Sequence, residues 1–207
     1  MRAARDVVLE RIRAALDGAA PAPDVPRDYR QAGILDERGL AALFVERVED
    51  TGATVVPSRD PGEALRSLLA AHGASRVVVP SDLPPELRPA GVELVSDEAL
   101  PAAVLDTLDG VVTTCAAACA ETGTIAFDGG AGQGRRAVTL VPDLHIVVVR
   151  HDQLVETVPE LFERLGAAAR EGRPLVLVSG PSATSDIGFE RVEGVHGPRR
   201  LVVVLVE

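Results

Sequence analysis

The sequence predicts an α/β fold: a mostly parallel sheet covered by helices, with one β-hairpin inserted. Three observations carry that expectation. Segments with apolar residues at helical spacing alternate with short Val-rich runs, the order of βαβ units. Those runs, "SRVVVP" and "LHIVVVR" among them, are apolar at successive positions, as in strands buried on both faces. Between Gly123 and Arg150 the alternation stops, and three strand-like stretches follow one another around the Gly-rich "DGGAGQGRR".

The elements follow in order. Val8, Ile12, Ala15 and Leu16 lie at helical spacing in the opening segment, which reads as an amphipathic helix. "DGAAPAPDVPRDYRQAG" has prolines and no periodicity and reads as a linker, so residues 1–35 form an extension and 36–207 the main domain. "ERGLAALFVERVEDTG" is a helix ended by Gly52, followed by the strand "ATVVP". "DPGEALRSLLAAHG" is a helix with Asp60 at its cap and Pro61 in its first turn. "SRVVVP" and "GVELVS" are strands, "SDEALPAAVLDTL" a helix from Ser96, and "GVVTTC" a strand. "GTIAFD", "AVTLVP" and "LHIVVVR" are expected to be strands, with the Gly-rich stretch as a hairpin tip. "HDQLVETVPELFERLGAAAREG" reads as one long helix, and "PLVLVSG" and "RRLVVVLVE" as the last strands.

Composition narrows the function. The 207 residues are 46% hydrophobic and 25% charged, a globular balance. A net charge of −10 disfavours nucleic acid and anionic membranes as partners. Aromatic residues make up 2% of the chain, too few for a base-stacking platform. All 21 basic residues are Arg, which removes Schiff-base chemistry and the P-loop lysine. The opening segment lacks the apolar stretch of a signal peptide, and no run approaches a membrane span, so a cytoplasmic protein is expected. Cys115 and Cys119 are too few for a zinc or iron–sulfur site, and no metal site is expected.

Chemistry is expected where polar loops follow buried strands, because parallel sheets bind ligands at the carboxyl ends of their strands. "SGPSATSD" supplies the hydroxyls of Ser179, Ser182 and Thr184, backbone N–H groups opened by Gly180, and the carboxylate of Asp186. Such a loop can hold a carboxylate or phosphate, or it can simply bond its own backbone. "ETGT" supplies Glu121 as nucleophile, base or hydroxyl acceptor, Thr122 and Thr124 beside it, and Gly123 for close backbone approach. In "GVHGP", His196 sits beside Gly197, where it can move a proton or bind an anion. It reaches the edge of Gly180 only if the last strand is antiparallel or its loop folds back. His145 opens a strand and is expected at the wrong edge, in a structural role. Arg135 and Arg136 can swing over an anion, and the two cysteines read as small packing residues.

Together, "AETGT", "VPDLHIVVV", "SGPSATSDI" and "GVHGP" resemble the LUD-domain family, in its lactate-utilization protein C branch. The likeness spans roughly Leu35 to the C-terminus. It implies a three-layer α/β/α sandwich similar to the sugar-isomerase, CoA-transferase and formyltetrahydrofolate cyclo-ligase group. It implies a role in oxidising L-lactate to pyruvate beside two partner proteins, with iron–sulfur centres on the partners and no cofactor on this chain. The family motif falls on Glu121, Thr122, Gly123, Thr124, His145, Ser179, Gly180, Ser182, Thr184, Asp186, His196 and Gly197. Ala183 stands where related proteins often carry Arg. Three functions follow as expectations. The first is an accessory subunit binding a small carboxylate or other anion, with Glu121 and His196 as candidate catalytic groups. The second is an acyl or CoA transferase, or a sugar-phosphate isomerase, using Glu121. The third is an adaptor that docks partners through its first helix.

Overall fold

The computed structural model describes residues 4–18, 23–185, 191–194 and 196–207. The chain divides into two compact units, Met1–Arg30 and Gln31–Glu207. The first contains helix α1 (Ala4–Leu16), whose Val8, Ile12 and Leu16 share one side.

The second unit opens on a strap. Glu156 accepts hydrogen bonds from the Ile34 and Leu35 amides at 2.6 and 2.7 Å, and Glu160 accepts from Gly33 N at 3.0 Å. Two carboxylates thus hold residues 33–35. Glu156→Ala, which removes the acceptor of two amides, is expected to cost about 1–2 kcal/mol. Hydrogen exchange should accelerate at Ile34 and Leu35 and stay unchanged in the central strands.

Helix α2 (Glu37–Asp50) is capped by Asp36, whose side chain accepts from Gly39 N. Strand β1 (Thr54–Ser58) and helix α3 (Pro61–Ala71) follow, the helix capped by Asp60 with Pro61 at its start, as the sequence predicts. Then come β2 (Arg76–Pro80), a 3₁₀ turn (Pro85–Leu87) and β3 (Glu93–Asp97). Helix α4 is only Ala102–Leu105. The helix expected from Ser96 does not form, because Ser96 and Asp97 pair with β2 and the residue before Pro101 is pushed out of the helical region. Strands β4 (Gly110–Thr114), β5 (Ala117–Cys119), β6 (Thr124–Phe127) and β7 (Leu144–Arg150) come next.

A hairpin is present, but one segment earlier than expected: β5 and β6 pair antiparallel, with "ETGT" at their turn. "AVTLV" forms successive turns, Val138 N to Arg135 O and Val141 N to Ala137 O. It has nowhere to pair, since β4 and β12 (Arg200–Val206) already occupy both edges of β7. The expected long helix is also divided. After a 3₁₀ turn, β8 (Leu154–Val155) pairs with β5, and α5 runs from Val158 to Arg170. Its start is a capping box of Thr157 and Glu160 with a proline in the first turn, a signal legible in "TVPE". Strand β9 (Val176–Val178) and a short antiparallel pair, β10 (Ala183–Ser185) and β11 (Arg191–Glu193), precede β12.

Six strands form one parallel sheet in the order β1-β12-β7-β4-β2-β3. Its strands alternate between two cores. Ile146, Val148, Val202 and Val204 face Leu65 and Leu69 of α3. Val147, Val149, Val203 and Leu205 face Phe44 and Val48 of α2 together with Ile125 and Phe127 of β6. On this second face a smaller sheet, β8-β5-β6-β9, lies against the main one, and α5 closes it through Leu161 and Leu165. The α/β architecture with a mostly parallel sheet is therefore as the sequence predicts, with the smaller sheet inserted on one side. Among the described residues, no helix is long and apolar enough to cross a membrane.

Candidate functional site

Two polar loops on either side of the β10–β11 pair meet at a cavity of about 230 Å³. Ser179–Ser182 leave β9, and His196–Pro198 lead into β12. Ser182 joins them: its N–H donates to Pro198 O at 2.8 Å and its Oγ accepts from His196 N at 2.8 Å. Arg136, Thr139 and His145 complete the polar lining, with Leu177 and Leu201 as apolar wall.

The cavity lies at the amino-terminal edge of the main sheet. His145 and Leu201 are second residues of adjacent parallel strands and are register partners. The Ser179–Ser182 and His196–Pro198 loops, expected at the carboxyl edge, converge at the amino-terminal edge instead. The topological condition placed on His196 is corrected too. Strand β12 is parallel, yet its entry loop meets Gly180, because β9 belongs to the smaller sheet and delivers its loop to the opposite edge. His145, expected at the wrong edge, is at the right one.

Gly180 sits at φ +86°, and a Cβ there would lie 2.5 Å from the Cβ of Thr51. Glycine is required for the loop to pass the end of α2. Asp143 fixes the other loop, its Oδ1 accepting from Arg199 Nε at 2.6 Å while its carbonyl accepts from Arg200 N. That arginine holds the Asp143 carboxyl below its ordinary range.

Arg136 and Arg135 have different fates. Arg135 forms a two-point ion pair with Asp97, at 2.7 and 2.9 Å, and also donates to Leu100 O. Arg136 donates to Thr139 Oγ1 at 3.0 Å and has no ion pair among the described residues. It is the cation of the cavity. His145 is 1% exposed, with Nε2 2.8 Å from Thr113 Oγ1 and its ring tilted against Phe127 at 5.7 Å.

Burial, and secondarily the charge of Arg136, push the His145 imidazole from 6.5 down to about 3. Between these values the unfolded chain binds a proton that the folded chain excludes. His145's contribution to stability is therefore complete above 6.5 and falls away as the pH drops toward 3. Its slope approaches 1.4 kcal/mol per pH unit, roughly, at mid-window. Urea unfolding from pH 6.5 to 5 should show a slope that rises from about half this value toward it in the natural chain, and a shallower one in His145→Gln.

The "ETGT" turn is one step removed. Thr122 Oγ1 donates to Thr124 Oγ1 at 2.7 Å, and Thr124 Oγ1 lies 2.7 Å from Ser179 Oγ. A hydroxyl chain thus reaches the rim, but none of Glu121, Thr122, Gly123 and Thr124 lines the cavity. Glu121 is exposed at the hairpin turn, its amide donating to Glu156 O at 3.0 Å. Gly123 is close to the backbone of Arg47, where a Cβ would lie 2.7 Å from the carbonyl. Its smallness serves packing on α2. Thr184 is on β10, paired with Val192, and Asp186 lies outside the described residues.

Thr139 and His145 line the cavity although sequence pattern alone does not place them there, and Arg136 joins them from a stretch that reads as a hairpin tip. The signal that finds them is adjacency: loops entering neighbouring parallel strands share an edge as surely as loops leaving them. Cys115 and Cys119 are buried, and burial pushes the Cys115 thiol up to about 12, so it is not a thiolate at neutral pH. Among the described residues no group of three His, Cys, Asp or Glu is placed to hold a metal. The arrangement suits a small anion: one guanidinium, several hydroxyls and a neutral imidazole in a partly enclosed space.

Residues 103–206 match the LUD domain family model, a stretch that includes every residue of the cavity. The chain is 47% identical over 192 residues to lactate utilization protein C of Deinococcus radiodurans, covering 91% of this chain and 86% of that one. It is 36% identical over 92 residues to lactate utilization protein C of Halalkalibacterium halodurans, covering 42% of this chain and 40% of that one. Among solved structures, a DUF162-family protein from Deinococcus radiodurans superposes with a TM-score of 0.74 at 41% identity, over 84% of this chain and 100% of that one.

Proposed function

The chain belongs to the LUD-domain family, and on that premise we propose that it is an accessory component of an L-lactate utilization system, binding a small carboxylate or other anion in the cavity between the Ser179–Ser182 and His196–Pro198 loops. It works in the cytoplasm beside partner proteins that carry the iron–sulfur centres of lactate-to-pyruvate oxidation. The family resemblance and the names of its relatives support the pathway. One observation carries the ligand: the guanidinium of Arg136 lines a cavity without an ion pair among the described residues, in a chain of net charge −10. A cation so placed, beside the hydroxyls of Thr139 and Ser182, attracts a small anion from solution.

A transferase reading would need Glu121 to face the ligand, and Glu121 does not line this cavity. The binding reading is tested by calorimetry and thermal shift on the full chain with L-lactate, pyruvate, sugar phosphates and CoA esters. One or more of the small anions should bind with one-to-one stoichiometry and raise Tm. A folded chain that binds none of them overturns the reading.

A further inference from the structure

His145 lines the cavity and commits only one of its two ring nitrogens. Nε2 is engaged with Thr113 Oγ1. Nδ1 has no hydrogen-bond partner among the described residues. Yet no fully buried side-chain nitrogen or oxygen among those residues lacks a partner. Nδ1 is therefore not fully buried, and the ring it belongs to lines the cavity. A side chain 1% exposed that keeps one polar atom for a cavity is placed to meet a ligand.

A hydroxyl partner also leaves the proton free to move. If Thr113 Oγ1 donates to Nε2, Nδ1 carries the hydrogen and donates into the cavity. If Thr113 Oγ1 accepts, Nδ1 presents a lone pair. Burial and the nearby guanidinium keep the ring neutral, so both tautomers are available.

We propose that His145 is the specificity-determining residue of this cavity, its Nδ1 hydrogen-bonded to an oxygen on the carbon next to the ligand's carboxylate. The ligand class is small 2-oxo and 2-hydroxy acids. Nδ1–H donates to a 2-oxo oxygen, and the Nδ1 lone pair accepts from a 2-hydroxyl, while Arg136 pairs with the carboxylate. This rests on the anion-binding reading above and adds to it the group that distinguishes one carboxylate from another.

The probes are pyruvate, L-lactate, propionate, which lacks the 2-oxygen, and inorganic phosphate, each titrated into the full chain. Pyruvate and lactate should bind about tenfold more tightly than propionate, the effect of one well-made hydrogen bond. In His145→Leu that ratio should fall to near one while propionate affinity is kept. Because His145 is in the core and the variant can unfold, two further measurements stand beside it. Thr113→Val removes the hydroxyl that serves either tautomer, so it should shift the pyruvate-to-lactate affinity ratio away from its natural value without affecting propionate. In ¹⁵N spectra of the natural chain, Nδ1 should be protonated with pyruvate and unprotonated with lactate.

Equal affinity for propionate, pyruvate and lactate, or an Nδ1 signal that ignores the ligand, overturns the role of His145 and leaves the anion site standing. Binding of phosphate alone overturns the ligand class. Failure of all four probes overturns the anion site itself.

Discussion

Arg136→Ala is expected to weaken binding of the cavity's anion by about 30- to 100-fold, the effect of losing roughly 2–3 kcal/mol of charge-assisted hydrogen bonding. The guanidinium has only the hydroxyl of Thr139 as an assigned partner in the cavity, so nothing else there supplies a positive charge to replace it. Stability should change little, because the residue is exposed and in no ion pair among the described residues. Arg135→Ala is the control. That side chain is committed to Asp97 and to the Leu100 carbonyl, so its loss should lower stability and leave affinity near its natural value. Titration calorimetry and urea unfolding on the two variants separate the effects. If Arg135→Ala impairs binding as much as Arg136→Ala, the assignment of the cavity cation is wrong.

Gly123→Ala should be among the most damaging single-methyl changes in the domain, at about 2–5 kcal/mol. Two costs combine. The residue sits at φ +61°, where an L side chain is strained by roughly 1–2 kcal/mol. Its new Cβ would also lie 2.7 Å from the Arg47 carbonyl carbon and oxygen and 2.9 Å from Val48 N. That neighbour is helix backbone, which cannot swing aside as a flexible side chain can, and the overpacking adds about 1–3 kcal/mol. The expected fall in Tm is roughly 4–20 °C for a chain of this size. Gly73→Ala makes the comparison informative: φ is +67°, but nothing lies within 4 Å of the new Cβ. Only the backbone cost applies there. Equal losses at the two positions in thermal unfolding would show that contact with α2 contributes nothing.

Much of the fold is legible in the residue order. The caps at Asp36 and Asp60, the proline starting α3, and the buried strands are local signals, and local physics carries them into the fold. Pattern and structure part where a tertiary partner competes with the local signal. "AVTLVP" has the composition of a strand, but both edges of β7 are taken. "LV" at 154–155 fits a helical pattern, but β5 offers it a pairing and the Thr157 box starts the helix later. Of the proposed site residues, Ser179, Gly180, Ser182, His196 and Gly197 converge on the cavity, whereas Glu121 stays at a hairpin turn outside it.

By itself, the order of residues determined most helices and buried strands, apart from those exceptions, the helix shortened to Ala102–Leu105 and the strand β5, which the residue pattern does not announce. It also determined which loops hold polar groups in excess, because period, capping and composition act over a few neighbouring residues. Only the tertiary structure decided where those loops go. Placing β9 in a second sheet carries Gly180 to the entry edge of β12, where it meets His196. The same arrangement turns His145 and Arg136 from supporting residues into the lining of a cavity. The physical reason is that strand order depends on pairings between segments tens of residues apart. Those pairings are chosen by the burial of whole faces, to which no single stretch of the chain holds the key.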